Sequence, residues 1–186
     1  RAERLYLRIL RIWEELLGAE HPTVATALTN LAHVLSDQNK YEAAEPLYRQ
    51  AMAMRQKLLG SEHPDVAQSI VILASVLDRQ GRYEEAETLY RQALVMRQKR
   101  LGVEHLLVAD TLHNLALTLK NQGQYESAET MHRQALAMRQ KLLGDEHASV
   151  ANSIQGLANV LYLQGRYEAA ETLHRQALAI REKLLG

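Results

Sequence analysis

Residues Asn30 to Ala51 read N-L-A-H-V-L-S-D-Q-N-K-Y-E-A-A-E-P-L-Y-R-Q-A, and two apolar stripes meet inside this stretch. Upstream, Val24, Leu28, Leu31, Ala32 and Leu35 follow the spacing of one face of a 3.6-residue helix. Downstream of Asn39-Lys40, the same spacing returns at Tyr41, Ala44, Leu47, Tyr48, Ala51, Met54 and Leu58. The pattern predicts helix A from about Thr23 to Gln38 and helix B from about Tyr41 to Leu59, antiparallel because the turn between them is short. At a rise of 1.5 Å per residue they are rods of about 24 and 28 Å. Pro22 suits a first helical position, where its missing N–H would be unpaired anyway, and Gly18 suits the left-handed residue that closes a preceding helix. Pro46 falls some five residues into helix B and removes a backbone donor, so a slight bend is expected there.

Outward from this stretch the same phrase returns every 42 residues, closed each time by a glycine: Gly18, Gly60, Gly102, Gly144 and Gly186. A fixed period of this size is the mark of a solenoid, in which each unit buries its apolar face against its neighbours. The expected organisation is a single array over residues 1–186, with helix B of a truncated unit over 1–18 and four full units at 19–60, 61–102, 103–144 and 145–186. About 19 of the 42 columns hold one residue type in all four units. Ala32, Ala44 and Ala51, with their equivalents in every later unit, keep helix A and helix B close. In the later units the A–B turn is Gln-Gly, at Gly81, Gly123 and Gly165.

Composition excludes several classes of function. The 22 basic and 22 acidic residues balance, so there is no broad positive field for nucleic acid or an anionic membrane. No cysteine is present, which removes disulfides and thiolate chemistry and fits the cytoplasm. The longest apolar run, Val71 to Leu77, is too short to span a bilayer, and the start at Arg1 reads as a piece of a longer chain. No glycine-rich phosphate loop, H-E-x-x-H, G-x-S-x-G or cysteine nucleophile occurs, so no enzymatic activity and no cofactor are expected.

Glu20-His21, Glu62-His63, Glu104-His105 and Glu146-His147 invite a metal reading. Geometry opposes it, because zinc ligands must converge to about 2.0–2.2 Å from one ion while equivalent residues of stacked helices lie on the order of 10 Å apart. The better reading is that each histidine serves the free backbone groups at the start of helix A. His132 and His174 replace Tyr48 and Tyr90 in a packing column and are expected to be partly buried. The paired carboxylates Glu42 and Glu45, or Glu84, Glu85 and Glu87, stand among arginines and lysines, as on a solvated helix face.

The stretch from Asn30 to Ala51 resembles the tetratricopeptide repeat, whose unit is about 34 residues, with Leu28, Leu31, Ala32, Leu35, Tyr41, Ala44, Tyr48 and Ala51 on its signature positions. The end of each unit departs from the usual form: R-Q-K-L-L-G-x-E-H-P lengthens helix B and its loop by about eight residues, as in the cargo-binding repeats of kinesin light chain. The resemblance implies an all-α, right-handed superhelical solenoid of antiparallel helix pairs whose concave face, lined by the A helices, binds peptide segments of partner proteins.

By alignment, the groove residues are Asn30, His33 and Asp37 in the first unit, and Val71 and Arg79 in the second. His113, Asn114, Leu117, Lys120 and Asn121 follow in the third, and Gln155, Asn159 and Tyr162 in the fourth. These columns vary between units while the stripe columns hardly change. Asn114, Leu117 and Lys120, with Val71 and Arg79, are the expected centre. Two alternatives stand beside it: a structural spacer or self-assembling scaffold, natural or designed, without a dedicated ligand, and the sensor array of a larger signalling ATPase. Leu5, Ile9 and Ile12 on an inward stripe of the first helix, with Trp13 where later units have arginine, suggest end-to-end association.

Overall fold

The computed structural model describes residues 2–185. Among them every element is an α-helix: α1 (Ala2–Leu17), α2 (Pro22–Asp37), α3 (Tyr41–Leu59), α4 (Pro64–Arg79), α5 (Tyr83–Leu101), α6 (Leu106–Asn121), α7 (Tyr125–Leu143), α8 (Ala148–Leu163) and α9 (Tyr167–Leu185). The even-numbered helices are the A helices of the four units, and the odd-numbered ones are B helices. The A helix of the first unit starts at Pro22, one residue before the apolar pattern suggested, and stops at Asp37 with Gln38 as its cap. Helix α3 runs through Pro46 as one uninterrupted element.

Each A helix starts on the histidine that precedes it. Nδ1 of His21, His63, His105 and His147 accepts a hydrogen bond from the backbone N–H two residues on, at 3.2, 3.2, 3.1 and 3.0 Å. One of the unpaired donors at every A-helix N-terminus is thereby satisfied by the imidazole. The A–B turn needs one left-handed residue, supplied by Asn39 at φ 59° in the first unit and by Gly81, Gly123 and Gly165 at φ 77–78° afterwards. Asparagine tolerates that region better than other residues with a β-carbon, which lets the first unit dispense with glycine.

The helices divide into two compact bodies, residues 1–96 and 97–186. In the first, α1 packs on α2, α2 on α3 and α3 on α4. Its core holds Val24, Leu28, Leu31, Ala32, Ala44, Tyr48 and Ala51, then Val66, Ile70, Leu73, Ala74, Leu77, Ala86 and Tyr90. The alanines lie in the seams between helices, as their fixed size in the repeat requires. In the second body α6 packs on α7, α7 on α8 and α8 on α9, around Leu112, Leu115, Leu119, Ile154, Leu157, Leu161 and the buried alanines Ala128, Ala135, Ala170 and Ala177.

Helix α1 departs from the expected inward stripe. Its buried apolar residue is Leu10, while Leu5, Ile9 and Ile12 are 57%, 40% and 42% exposed. Ile9 stands in the column of Ala51, which is buried against the A helix of its own unit; no described helix covers that side of α1.

Two ladders of ion pairs, each joining residues 37 apart, repeat along the chain. Lys57 pairs with Glu20 and Lys141 with Glu104, both at 2.5 Å, and Lys183 pairs with Glu146. These tie the end of a B helix to the loop before the A helix of the same unit. Arg82 pairs with Glu45 at 2.7 Å and Arg166 with Glu129 at 3.0 Å, tying a B helix to the next A–B turn. The first ladder is well exposed and contributes little, about 0–1 kcal/mol per pair. Glu45 and Glu129 are more enclosed, and hydrogen bonds from arginine and glutamine side chains outweigh burial and hold both carboxyls below the usual carboxylate range.

Candidate peptide-binding face

In the first body, Asn30, His33, Asp37 and Arg79 are exposed on α2 and α4. His33 is engaged as well as exposed: its Nδ1 lies 2.7 Å from the Tyr48 hydroxyl, and the two rings meet edge to face at 5.4 Å. Val71 is only 9% exposed and belongs to the core beneath this face.

A hollow of about 330 Å³ in this body opens between α2 and α4 close to the end of α3. Thr26 and Thr29 of α2 and Gln68 and Ile72 of α4 line it, and Arg55 reaches in from α3. Thr26, Thr29, Gln68 and Ile72 stand in A-helix columns that differ from unit to unit. Sequence reasoning missed Arg55, because arginine occupies that column in all four units and so reads as scaffold.

Contacts along the arginine column show why it is fixed. Nη1 of Arg55 donates to Ser69 Oγ at 2.8 Å, that of Arg97 to Thr111 Oγ1 at 2.8 Å, and that of Arg139 to Ser153 Oγ at 2.7 Å. Helices α3, α5 and α7 thus each reach a hydroxyl on the A helix of the following unit. Arg97 and Arg139 are buried and also donate to the carbonyls of Leu107 and Ser149. What differs is the residue 29 positions before each arginine. At Arg139 it is Asp110, whose Oδ1 accepts from Nη2 at 2.6 Å; at Arg181 it is Asn152, at 3.2 Å; at Arg55 it is Thr26.

In the second body, Asn114, Leu117 and Lys120 are half-buried neighbours on α6, and Asn121 is exposed at its end. On α8, Gln155 contacts Nδ1 of His174 at 3.0 Å and accepts from Arg181 at 3.3 Å, and Asn159 is exposed beside it. Tyr162 is 58% exposed and leans toward its own B helix, edge to face with Tyr167 at 5.2 Å. Together they border a hollow of about 510 Å³ with Ala170, Glu171, His174 and Leu178 on α9. Tyr162, although on the A helix α8, thus engages the B helix α9.

His113 does not project freely from α6. Its ring meets that of His132 on α7 edge to face at 5.1 Å. His132 is 0% exposed, neither of its nitrogens has a partner, and on the α8 side it lies against Gly156, where a β-carbon would come within 2.5 Å of its ring. Burial first, and then the charge of Arg139, lower His113 to about 4; burial, then His113, Lys120 and Arg139 lower His132 to about 3. Both rings are neutral at neutral pH. Among the described residues no group of three His, Cys, Asp or Glu side chains could hold a metal ion, and no helix is long and apolar enough to cross a membrane.

Comparison with known proteins places this geometry. The tetratricopeptide repeat profile matches residues 1–57, 30–99, 65–141 and 107–183. Among solved structures, a Podosopora anserina protein described by its nearly identical kinesin light chain TPR-like repeats is 30% identical, with a TM-score of 0.82 over 98% of this chain and 87% of that one. A variant of it is 29% identical, with a TM-score of 0.85 over 99% and 87%. BtubC (BKLC) from P. vanneervenii is 26% identical, with a TM-score of 0.86 over all of this chain and 74% of that one. No curated protein matches the chain by sequence.

Proposed function

Because this chain belongs to the tetratricopeptide repeat family, whose repeats are generally protein-interaction modules, we propose that it is a non-enzymatic module that holds peptide segments of a partner along its A helices. One observation carries the reading: about 19 columns are fixed and account for the packing and the caps, whereas the outward columns of α2, α4, α6 and α8 differ from unit to unit. A uniform frame with an individual face is what specific recognition requires. On α6 the face offers an amide at Asn114, apolar surface at Leu117 and a cation at Lys120. That combination suits a peptide with an apolar anchor beside acidic residues.

The test is selection from a capped-peptide library, followed by substitution. Asn114→Ala and Leu117→Ala should each weaken binding of the selected peptide by more than about 1 kcal/mol if they anchor it. Arg91→Ala, on an exposed B-helix position paired with Glu87, should leave it unchanged. Equal loss from Arg91→Ala, or a library that retains nothing, would refute the reading.

A second reading, end-to-end association of chains, is favoured by the exposure of Leu5, Ile9 and Ile12 on α1 and of Tyr167 and Leu178 on α9. Trp13, 36% exposed and the only tryptophan, reports on it. Unchanged emission with monomeric light scattering across a wide concentration range would exclude it.

A further inference from the structure

Helices α7 and α9 have 19 residues each and differ at four places, where Ser127, Met131, Met138 and Gln140 give way to Ala169, Leu173, Ile180 and Glu182. None of the four is a residue on which α8 rests. Four contacts seat α8 on α7. The ring of His132 fills the space beside Gly156. Leu136 packs against Leu157 and Leu161. Arg139 donates to Ser153 Oγ at 2.7 Å, and Glu129 pairs with Arg166, just past the end of α8, at 3.0 Å.

The same four groups recur on α9 as His174, Leu178, Arg181 and Glu171, and there they face outward. Leu178 is 54% exposed, whereas Leu136 is half-buried. The side chain of Glu171 is 61% exposed against 16% for Glu129, and its ion pair is with Arg175 on its own helix. Arg181 is exposed and reaches back to Asn152 and Gln155 on α8. His174 and Leu178 border the hollow of about 510 Å³, whose other walls include Tyr162 and Tyr167. Charge and apolar surface on α9 thus repeat, in register, a face whose occupant is known within the same body.

We infer that the outer face of α9 is a docking site for an amphipathic helix of another protein, one built like α8. A glycine of that helix would seat on His174, two apolar residues on Leu178, a hydroxyl on Arg181 and a basic residue beyond its C-terminal turn on Glu171. In sequence these groups follow the spacing of Ser153, Gly156, Leu157, Leu161 and Arg166, or S-x-x-G-L-x-x-x-L-x-x-x-x-R. A helix suits this face because it pairs its own backbone groups and lays anchors three and four residues apart along one side. The exposed helix of a second copy, α1, fits less well: residues 2–17 contain no serine, threonine or glycine to meet Arg181 and His174. The site goes beyond the peptide-binding reading, which places partners on the A helices.

The experiment titrates the isotope-labelled full chain with a capped peptide of residues 147–166 and follows backbone amides by NMR. The peptide should shift the amides of Glu171, His174, Leu178 and Arg181, and should gain helix as it binds, read by circular dichroism. Leu178→Asp, at an exposed position, should weaken binding at least about tenfold while leaving the helical spectrum of the free chain unchanged. A peptide carrying Gly156→Val should also bind at least about tenfold more weakly, through overpacking against His174. Leu16→Asp, on the exposed side of α1, should change nothing. Equal affinity of the two peptides, or no shift on α9, overturns the inference. Shifts confined to α6 and α7 overturn it too, since the peptide would then be replacing α8 in its own place. So does self-association of the chain without peptide that Leu178→Asp abolishes, which would make a second copy the occupant.

Discussion

At the scale of single residues, the buried ring of His132 leaves no room for a β-carbon at Gly156. A glycine inside a helix costs about 1 kcal/mol relative to alanine, so Gly156→Ala should stabilise α8 by propensity alone. The added β-carbon, however, would stand 2.5 Å from the buried ring of His132. The clash wins, and net destabilisation of about 1–3 kcal/mol is expected in chemical denaturation. In a His132→Ala background the same change should become stabilising; a penalty that persists there would show that the ring is not the obstacle. The two histidines also set an acid limit. Their pKa values, lowered to about 4 and about 3 in the folded state, mean that the unfolded chain takes up these protons first as pH falls below about 6.5. Stability is present in full above that pH and is lost on the way down to about 3, by on the order of a few kcal/mol. Asp110, Lys120 and Arg139 complete the charged surroundings of the pair. Urea denaturation of the wild type and of His132→Tyr between pH 7 and 4 checks this: the variant, which restores the residue of the first two units, should have the flatter profile.

The helices themselves were legible because each carries its own start, stripe and stop. His147 starts α8 with a bond of 3.0 Å to Ser149 N–H, and His147→Ala should cost about 0.5–2 kcal/mol, as the loss of a helix cap does. No change in thermal stability would mean that water replaces the imidazole at no cost. Ala116 in α6 is fully buried, and Ala116→Leu should destabilise by about 1–3 kcal/mol through overpacking; a neutral result would contradict the seam described between the helices. The binding face was harder to read. Repetition separates scaffold columns from variable ones, which brought out Asn114 and Leu117, but it also assigns every invariant residue to the scaffold. Arg55 escaped notice for that reason: its own identity never changes, and the information lies in the residue 29 positions earlier. Val71 and His113 misled in the opposite sense. Both vary along their column, yet one is core and the other is half-buried against His132, because a column on the border of the apolar stripe changes with packing as readily as with recognition.

For the molecule as a whole, balanced charge and a pI near 7.3 predict least solubility close to neutral pH, where no net repulsion keeps chains apart. Precipitation by polyethylene glycol across pH 6 to 9 should show the minimum near 7; a monotonic curve would contradict it. The order of the helices and their pairing within each body followed from one period and two stripes, since every unit meets only its neighbours. The arginine latches carry that logic into heredity. Each spans 14 residues, from Arg55 to Ser69, Arg97 to Thr111 and Arg139 to Ser153, and each first-ladder ion pair spans 37. A gene segment of 42 codons, copied or lost in register by unequal recombination, leaves all of these spans intact wherever the break falls, whereas a change of 41 or 43 breaks those that cross the join. The register of the latches thus acts as a ruler for the gene, allowing the array to grow or shrink only in whole units.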